Sequence, residues 1–351
     1  MTDDVFVTGM IRSGTSLVQA LLTNHPDMTV IYQPFHQLYV STKSRFLRES
    51  GIERLLPMGD EHDADPAEAE AFRSWLRTRR FDQQEADEIA VEAVQGKGGS
   101  VPDLAGLLEA PTGTFHEIRR SLLDQLMARF GGAGTAATGS KEVLCEEYVP
   151  ILAAEGSRVL VVVRDPRAVV SSADKGSYLA MVGDRYPVLM LIRLWRKSAR
   201  AALAARESPQ GTYLRYEDVA TDPAAFLDPV ATSLGLDPFP GGLSERPLLD
   251  HRGEVWSGNS SFGEKSGVDT SSTMAWRDLL DPQVADFIEA CCLPELQSLG
   301  YPTNMTGDRA RRAIEGFTED ETGVRPSYLA LYRLDDERRA QESARSELQA
   351  I

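Results

Sequence analysis

Residues 5–22 restrict the fold of this chain more than any other segment. Residues 5–8 (Val-Phe-Val-Thr) have the composition of a short β-strand, and residues 9–14 follow as a loop with glycine at both ends. Thr15 and Ser16 then open an apolar periodic segment, which is the usual signal of a helix N-terminus. In such a unit, backbone N–H groups and the helix dipole converge on an anion. We therefore predict a phosphate or sulfate site at the start of the chain.

The loop has the spacing of a nucleotide-binding P-loop, with one difference. Gly9 and Gly14 are spaced as in Gly-x-x-x-x-Gly-Lys, but Thr15 stands where the lysine would follow. Because that lysine contacts the terminal phosphates of ATP or GTP, its absence argues against a kinase. A cation lies inside the loop instead, at Arg12. A P-loop kinase or switch and an ordinary βα turn stay open as alternatives.

Composition limits the partners of this site. The 351 residues include 53 acidic and 37 basic ones, which give a formal net charge of -16. Binding of DNA, RNA or polyanionic glycans needs a basic surface, so no nucleic-acid partner is expected. An anionic nucleotide must then be held by local cations against the overall field. We expect the acceptor to be a small hydroxylated molecule.

The sequence predicts a cytoplasmic protein. It has no apolar run of 18 residues, and its first strand begins at residue 5, so neither a membrane span nor a signal peptide is expected. The three cysteines, Cys145, Cys291 and Cys292, fit neither a disulfide framework nor zinc spacing. We interpret the adjacent pair as core residues in a reducing compartment. No metal is expected.

Strands and helices alternate along the rest of the chain. Strands are predicted at 28–32, 140–144, 158–163 and 212–216. Helices are predicted at 66–95, 115–130 and 187–206, and after the Asp-Pro pairs at 222–223 and 281–282. This alternation implies a parallel sheet with ligands at its carboxyl edge. The predicted fold is therefore α/β: a three-layer P-loop-like fold with a central parallel sheet flanked by helices, plus a helical insertion.

The predicted organisation is one domain over residues 1–305 and a charged, mostly helical tail over 306–351. The insertion, at about 45–135, is either a lid or acceptor wall or an element that packs on the sheet. A flexible break is predicted at 95–100. An apolar stripe through Leu329, Tyr332 and Leu348 is too sparse for a coiled coil. The tail could pack on the core, join a second subunit in a homodimer, or be partly ordered.

The first loop resembles the 5′-phosphosulfate loop of sulfotransferases that use 3′-phosphoadenosine 5′-phosphosulfate (PAPS). The matching segment is Arg-Ser-Gly-Thr-Ser, followed by Leu17 and His25-Pro26. The resemblance implies that the donor is bound by Arg12, Ser13, Gly14, Thr15 and Ser16.

A second segment resembles the 3′-phosphate motif of the same family. Arg164 follows an apolar strand, and Ser172 lies eight residues on in the next helix. Arginine offers a rigid fork to phosphate oxygens, and a hydroxyl adds a neutral donor. The alternative for Arg164 is a salt bridge with Asp165. The wording Arg-Asp-Pro-Arg-Ala-Val is nearest to carbohydrate-type and bacterial members.

Three weaker matches support the resemblance. Tyr216 matches a tyrosine beside the adenine, with a buried strand tyrosine as the alternative. Lys141 matches a lysine beside the bridging oxygen, with a surface lysine as the alternative. Lys265 and Gly267 match a C-terminal loop that closes over the nucleotide and contacts phosphate. The resemblance covers residues 5–302.

The resemblance implies transfer of the sulfuryl group from PAPS to a hydroxyl, less often an amine, of a small-molecule or sugar-containing acceptor, as in natural product biosynthesis. Arg12 and Lys141 would stabilise the leaving group. Many relatives carry a glutamate where this chain has Gln33, so the base is open among His36, Glu142 and His116, or there is none. Gln33 would orient the acceptor, and its presence leaves a non-catalytic PAPS-binding module as an alternative.

Overall fold

The computed structural model describes residues 3–61, 65–94, 104, 106–132, 134–258 and 265–346. The predicted break at 95–100 and Leu348 of the predicted apolar stripe lie outside these residues.

The centre of the fold is a parallel sheet. Its strands are β1 (Asp3–Thr8), β2 (Met28–Tyr32), β3 (Ala137–Lys141), β4 (Arg158–Val163) and β5 (Gly211–Arg215). Their order is β2-β3-β1-β4-β5, and every neighbouring pair is parallel. The apolar run of β4 is buried because helices cover both faces of the sheet. The predicted α/β fold with a central parallel sheet is confirmed.

Helices surround this sheet and begin at the residues that the sequence signals. Asp165, Asp222 and Asp281 each accept a hydrogen bond from a first-turn amide, and a proline follows each of them. Short 3₁₀ turns lie at Glu146–Tyr148 and Ser271–Thr273. The helices are α1 (Thr15–Thr23), α2 (His36–Glu49), α3 (Pro66–Thr78), α4 (Gln83–Val94), α5 (Phe115–Phe130), α6 (Val149–Ala154), α7 (Pro166–Ala173), α8 (Gly176–Val182), α9 (Val188–Arg206), α10 (Tyr216–Thr221), α11 (Pro223–Ser233), α12 (Trp276–Leu279), α13 (Pro282–Cys291), α14 (Leu293–Ser298), α15 (Gly307–Gly316), α16 (Pro326–Tyr332) and α17 (Asp336–Ser346).

Three predicted boundaries are wrong. Residues 66–95 form two helices, because the Phe81 amide donates to the Gly113 carbonyl (2.7 Å) between them. The third strand lies at 137–141 rather than 140–144, because the backbone of Leu144 turns to a φ of 59°. The last strand ends at Arg215, so Tyr216 opens a helix.

The insertion packs against the sheet. Arg119 of α5 donates to the Asp4 carboxylate of β1 (2.6 Å) and to the Tyr39 hydroxyl (2.7 Å). Phe72 of α3 contacts the ring of Tyr148, with 5.3 Å between centroids. The three cysteines are buried with free thiols, as expected of core residues. Within the described ranges, no helix has both the length and the apolarity to cross a membrane.

The C-terminal helices pack on the same core. Glu342 of α17 is buried and accepts a hydrogen bond from Arg196 of α9 (2.5 Å). The rings of Phe317 and Phe287 stack with 3.9 Å between centroids. The backbone near residue 323 joins the segment before α9, where the Arg185 amide donates to the Gly323 carbonyl (2.8 Å). The described part of 306–346 is therefore fixed to the main body.

Candidate active site

A cleft of about 840 Å³ opens at the carboxyl edge of the sheet, where the segments after all five strands meet. This is where ligands bind in open parallel sheets. Ser13 and His116 do not line this cleft: the side chain of Ser13 is buried within the first loop, and His116 lies at a different surface. The other predicted site residues that line the cleft are Arg12, Gly14, Thr15, Ser16, Gln33, His36, Lys141, Arg164, Ser172, Tyr216, Lys265 and Gly267.

The glycines of the first loop permit close approaches. A Cβ on Gly9 would lie 2.3 Å from the Val162 carbonyl oxygen of β4. Gly14, at φ 93°, precedes α1, and a Cβ there would lie 2.1 Å from the ring of Tyr216. The amides of Thr15 and Ser16 precede the first hydrogen bond of α1, which Leu17 donates to the Gly14 carbonyl (3.0 Å), and the first turn contains no acidic residue. These are features expected of an anion-binding loop, which stays a prediction.

Arg12 connects the two predicted anion-binding motifs. Its Nε donates to the Oγ of Ser172 (3.0 Å), although the two residues are 160 positions apart. Its guanidinium lies over the ring of Tyr178, 4.8 Å from the centroid. Burial, together with the nearby charge of Arg164, lowers the pKa of Arg12 to about 10. The arginine stays protonated at neutral pH, with its charge poorly solvated.

Arg164 lies beside Tyr216 rather than in a pair with Asp165. Its guanidinium is 4.5 Å from the ring centroid of Tyr216 and donates to the carbonyls of Arg12 (3.2 Å) and Ser272 (2.5 Å). The alternative salt bridge is wrong, because Asp165 accepts hydrogen bonds from the next arginine, Arg167 (2.9 and 2.7 Å). The Nε of Arg164 is buried with no hydrogen-bond partner among the described residues.

Lys141 ends β3 and points into the cleft. It is only 1% exposed, so the alternative of a surface lysine is wrong. Its Nζ donates to the Oε1 of Gln33 (3.1 Å) and lies 3.9 Å from the ring centroid of Tyr32. Burial, with a smaller effect of Arg12, lowers the pKa of Lys141 to about 7, although Glu142 opposes the shift.

The three candidate bases have different environments. His36 lines the cleft, and its Nδ1 has no hydrogen-bond partner within the described part of the chain. Burial and the charge of Lys141 lower the pKa of His36 from the ordinary value of histidine to about 4. Glu142 is buried below the cleft, where it accepts a hydrogen bond from the Phe35 amide (3.0 Å), and burial raises its pKa to about 8.

His116 is excluded from the cleft by the fold. It lies on α5, where its Nδ1 is 2.5 Å from a carboxylate oxygen of Glu155. That contact raises the pKa of His116. The residue therefore belongs to a surface ion pair.

Backbone strain is concentrated in the cleft. Arg12, Gln33 and Leu144 have φ values of 64°, 40° and 59°, and they are the non-glycine residues with positive φ in the described structure. All three line the cleft. A non-glycine residue in this region costs free energy, and such residues cluster at functional sites. Sequence analysis missed Leu144, since no local pattern marks this conformation.

Sequence analysis also missed a group of residues that line the cleft close to Arg12. Tyr178, Met181 and Tyr186 line the cleft from α8 and the segment after it, and Arg325 joins them from the C-terminal region. On the other side, Lys265 forms an ion pair with Asp269, and both residues line the cleft. Residues 259–264, the middle of the predicted closing loop, lie outside the described residues.

Comparison with known proteins identifies the class. The profile of the Sulfotransferase family matches residues 4–240, so the chain belongs to this family. It is 26% identical to human carbohydrate sulfotransferase 6, over 90% of this chain and 87% of that protein. It is 24% identical to human carbohydrate sulfotransferase 5, over 88% of this chain and 79% of that protein.

Solved structures of sulfotransferase domains are also similar to this chain. The domain from the Synechococcus PCC 7002 olefin synthase has a TM-score of 0.48 and 17% identity, with coverage of 86% of this chain and 96% of the domain. The domain from the curacin biosynthetic pathway has a TM-score of 0.47 and 15% identity, with coverage of 86% and 99%.

Proposed function

We propose that the protein transfers the sulfuryl group of PAPS to a hydroxyl of a small-molecule acceptor and releases 3′-phosphoadenosine 5′-phosphate. The observation that carries the proposal is the hydrogen bond of 3.0 Å between Arg12 and Ser172. It joins the two segments that resemble the 5′-phosphosulfate and 3′-phosphate motifs. Arg164 completes the junction by donating to the Arg12 carbonyl.

The residues of the cleft fit a nucleotide that carries phosphate groups at both the 5′ and the 3′ position of its ribose. The amides at the start of α1 and the side chain of Arg12 would bind the 5′-phosphosulfate. Arg164 and Ser172 would bind the 3′-phosphate, and the buried Nε of Arg164 offers an unused donor. Tyr216 would lie beside the adenine. Lys265 and Gly267 would contact phosphate from the far rim, where both line the cleft.

The proposed transfer is an in-line displacement at sulfur. A bond forms between the acceptor oxygen and sulfur, the bond from sulfur to the 5′-phosphate oxygen breaks, and the acceptor proton passes to a base. Negative charge grows on the leaving phosphate, so positioned cations stabilise the transition state. Arg12 and Lys141 would supply that charge. Gln33, held by Lys141 at 3.1 Å, would orient the acceptor hydroxyl.

His36 is the base that the geometry favours. It faces the cleft and is unprotonated at neutral pH, because its pKa lies near 4. Negative charge on a bound donor would oppose the effect of Lys141 and raise the basicity of the imidazole. Glu142 is less suited, because a pKa of about 8 leaves it protonated at pH 7 and it lies outside the cleft lining.

Calorimetric titration with 3′-phosphoadenosine 5′-phosphate, ADP and ATP tests the proposal. We expect micromolar or tighter binding of the 3′-phosphorylated nucleotide alone, and loss of that preference in Arg164→Ala. Equal binding of ATP would refute the PAPS site and would favour the alternative of a P-loop kinase, which the family match disfavours. Tight binding without turnover of any acceptor would instead support the non-catalytic module.

A further inference from the structure

The cleft has two chemically different parts. The nucleotide motifs supply cations and amides in one part. Beside Arg12 and Lys141 lies a mainly apolar wall, to which the proposed function assigns no contact with the donor nucleotide. We call this surface the acceptor wall, and it consists of Tyr32, Leu144, Tyr178, Met181, Val182 and Tyr186.

The acceptor wall lies next to the reacting groups. Lys141 approaches the ring of Tyr32 to 3.9 Å, and the guanidinium of Arg12 lies over Tyr178 at 4.8 Å. A hydrogen bond joins Tyr178 to Tyr186, and this contact together with burial raises the pKa of Tyr178. An acceptor that packs on these rings could therefore direct a hydroxyl toward Arg12 and Lys141, where the sulfuryl group would lie.

The C-terminal region holds the wall in place. The Arg325 amide donates to the Arg185 carbonyl (3.0 Å), which continues the backbone pairing at residue 323. Tyr328 stacks on Tyr186, with 5.8 Å between centroids and 21° between ring planes. The side chain of Arg325 reaches the cleft and donates to Asp184 (3.2 Å). These contacts fix the position of Tyr186 and the segment around it.

The chemistry of the wall selects against a sugar. A tyrosine ring can stack on the apolar face of a sugar, but Leu144, Val182 and Met181 offer nothing to the remaining hydroxyls, and Arg325 at the edge of the wall already donates to Asp184. Burying an unpaired hydroxyl costs free energy. A flat aromatic ring meets no such cost and gains offset or edge contacts with the tyrosines. The wall therefore suits an apolar molecule whose hydroxyl points toward His36 and Gln33.

From this surface we infer that the acceptor is a phenol, a hydroxyl on a flat, apolar aromatic skeleton, rather than a carbohydrate. The inference rests on the proposed sulfuryl transfer and adds the substrate class. Met181, which is 72% exposed, offers a test because its replacement leaves the core intact.

Two acceptors distinguish the classes: 2-naphthol and methyl β-galactoside. Release of 3′-phosphoadenosine 5′-phosphate is measured at saturating PAPS. We expect kcat/KM for 2-naphthol to exceed that for the sugar at least tenfold. Calorimetry of 2-naphthol is run on the free protein and on the protein loaded with 3′-phosphoadenosine 5′-phosphate, and binding to the loaded protein is expected.

The variant Met181→Glu should raise KM for 2-naphthol about tenfold and leave the affinity for 3′-phosphoadenosine 5′-phosphate unchanged. Met181→Leu keeps an apolar side chain and should raise KM for 2-naphthol far less than Met181→Glu does. Val91→Glu, at a position on α4 that is 44% exposed and outside the cleft lining, controls for an added surface charge.

The proposal is overturned by equal turnover of the sugar, by no binding of 2-naphthol to either form, or by unchanged 2-naphthol kinetics in Met181→Glu. Failure of the protein to bind 3′-phosphoadenosine 5′-phosphate would refute the donor site instead. The titration of the free protein with 2-naphthol would then still test whether the wall binds an aromatic acceptor.

Discussion

Buried cations occur in two regions of this protein, and their surroundings shift their pKa values in opposite directions. In the cleft, burial lowers the pKa of Arg12 to about 10 and that of Lys141 to about 7. In the core, the carboxylates of Glu342 and Glu61 raise the pKa of Arg196 despite its complete burial. Asp4 does the same for Arg119.

The difference separates cations that are neutralised inside the core from the cations that we propose bind the nucleotide. A buried charge is tolerated when a carboxylate neutralises it. Arg196 and Arg119 meet this condition inside the protein. Arg12 and Lys141 are held by the hydroxyl of Ser172 and the amide of Gln33, which are neutral. An anionic nucleotide would relieve the burial of both charges.

The largest expected effect is on stability, in the core. In the described part of the chain, Glu342→Ala removes one of the two carboxylates that pair with the buried Arg196, where only Glu61 remains, and it also removes the partner of the buried Arg193. We therefore expect the free energy of unfolding to fall by about 3–5 kcal/mol. Urea denaturation measures the change. Arg309→Ala is the control, because its pair with Asp286 is exposed at 46% and 40% and should contribute less than about 1 kcal/mol. Equal losses in the two variants would contradict the comparison.

The cleft should show the opposite pattern. Arg12→Ala should lower kcat/KM about a hundredfold or more, which is the usual effect of removing a positioned electrostatic donor. Its free energy of unfolding should change by less than about 1 kcal/mol, because the variant removes a desolvated charge. Steady-state kinetics and urea denaturation of the same sample measure both quantities. Near-wild-type turnover at saturating PAPS would sink the proposed role.

Arg164→Lys tests whether the cleft needs geometry as well as charge. Lysine keeps the cation but loses the planar fork and the contact with the ring of Tyr216. We expect the affinity for 3′-phosphoadenosine 5′-phosphate to fall about tenfold, with the affinity for adenosine 5′-phosphate nearly unchanged. Calorimetry with both nucleotides gives the ratio. An unchanged ratio would place the 3′-phosphate elsewhere.

The smallest expected effect is a pH dependence of the dissociation constant for 3′-phosphoadenosine 5′-phosphate. The charged form of Lys141 binds the anion, and its pKa in the free protein is about 7, so binding takes up a proton above that pH. The dissociation constant should rise about fivefold from pH 7 to pH 8. Titrations in Lys141→Met should lose most of the slope, and a flat wild-type profile would show that Lys141 lies outside the binding site.

The sequence was enough to predict what local signals and sheet topology determine. Residues 9–16 and Arg164 follow β1 and β4, which are neighbours in the sheet, so their meeting at one edge follows from the parallel order. The start of α7 at Pro166 follows from Asp165 and the fixed φ of proline.

What the sequence did not predict depends on tertiary surroundings. The ordinary pKa of histidine suggested a base near neutrality, but burial beside Lys141 moves His36 to about 4. The predicted third strand began at residue 140 and left out Gly139, which lies inside β3. In the structure a Cβ there would lie 1.9 Å from the Val5 carbonyl, so only glycine fits between the neighbouring strands. The contribution of Arg325 depends on backbone pairing that leaves no periodic pattern.

The cleft draws on residues from Ile11 to Arg325, which lie near opposite ends of the sequence. During synthesis the phosphate loop leaves the ribosome first, and the acceptor wall receives its support only when the segment around residue 325 has followed. Chains fold progressively as they emerge. A nascent chain whose five sheet segments have all emerged therefore still lacks part of the lining of this cleft.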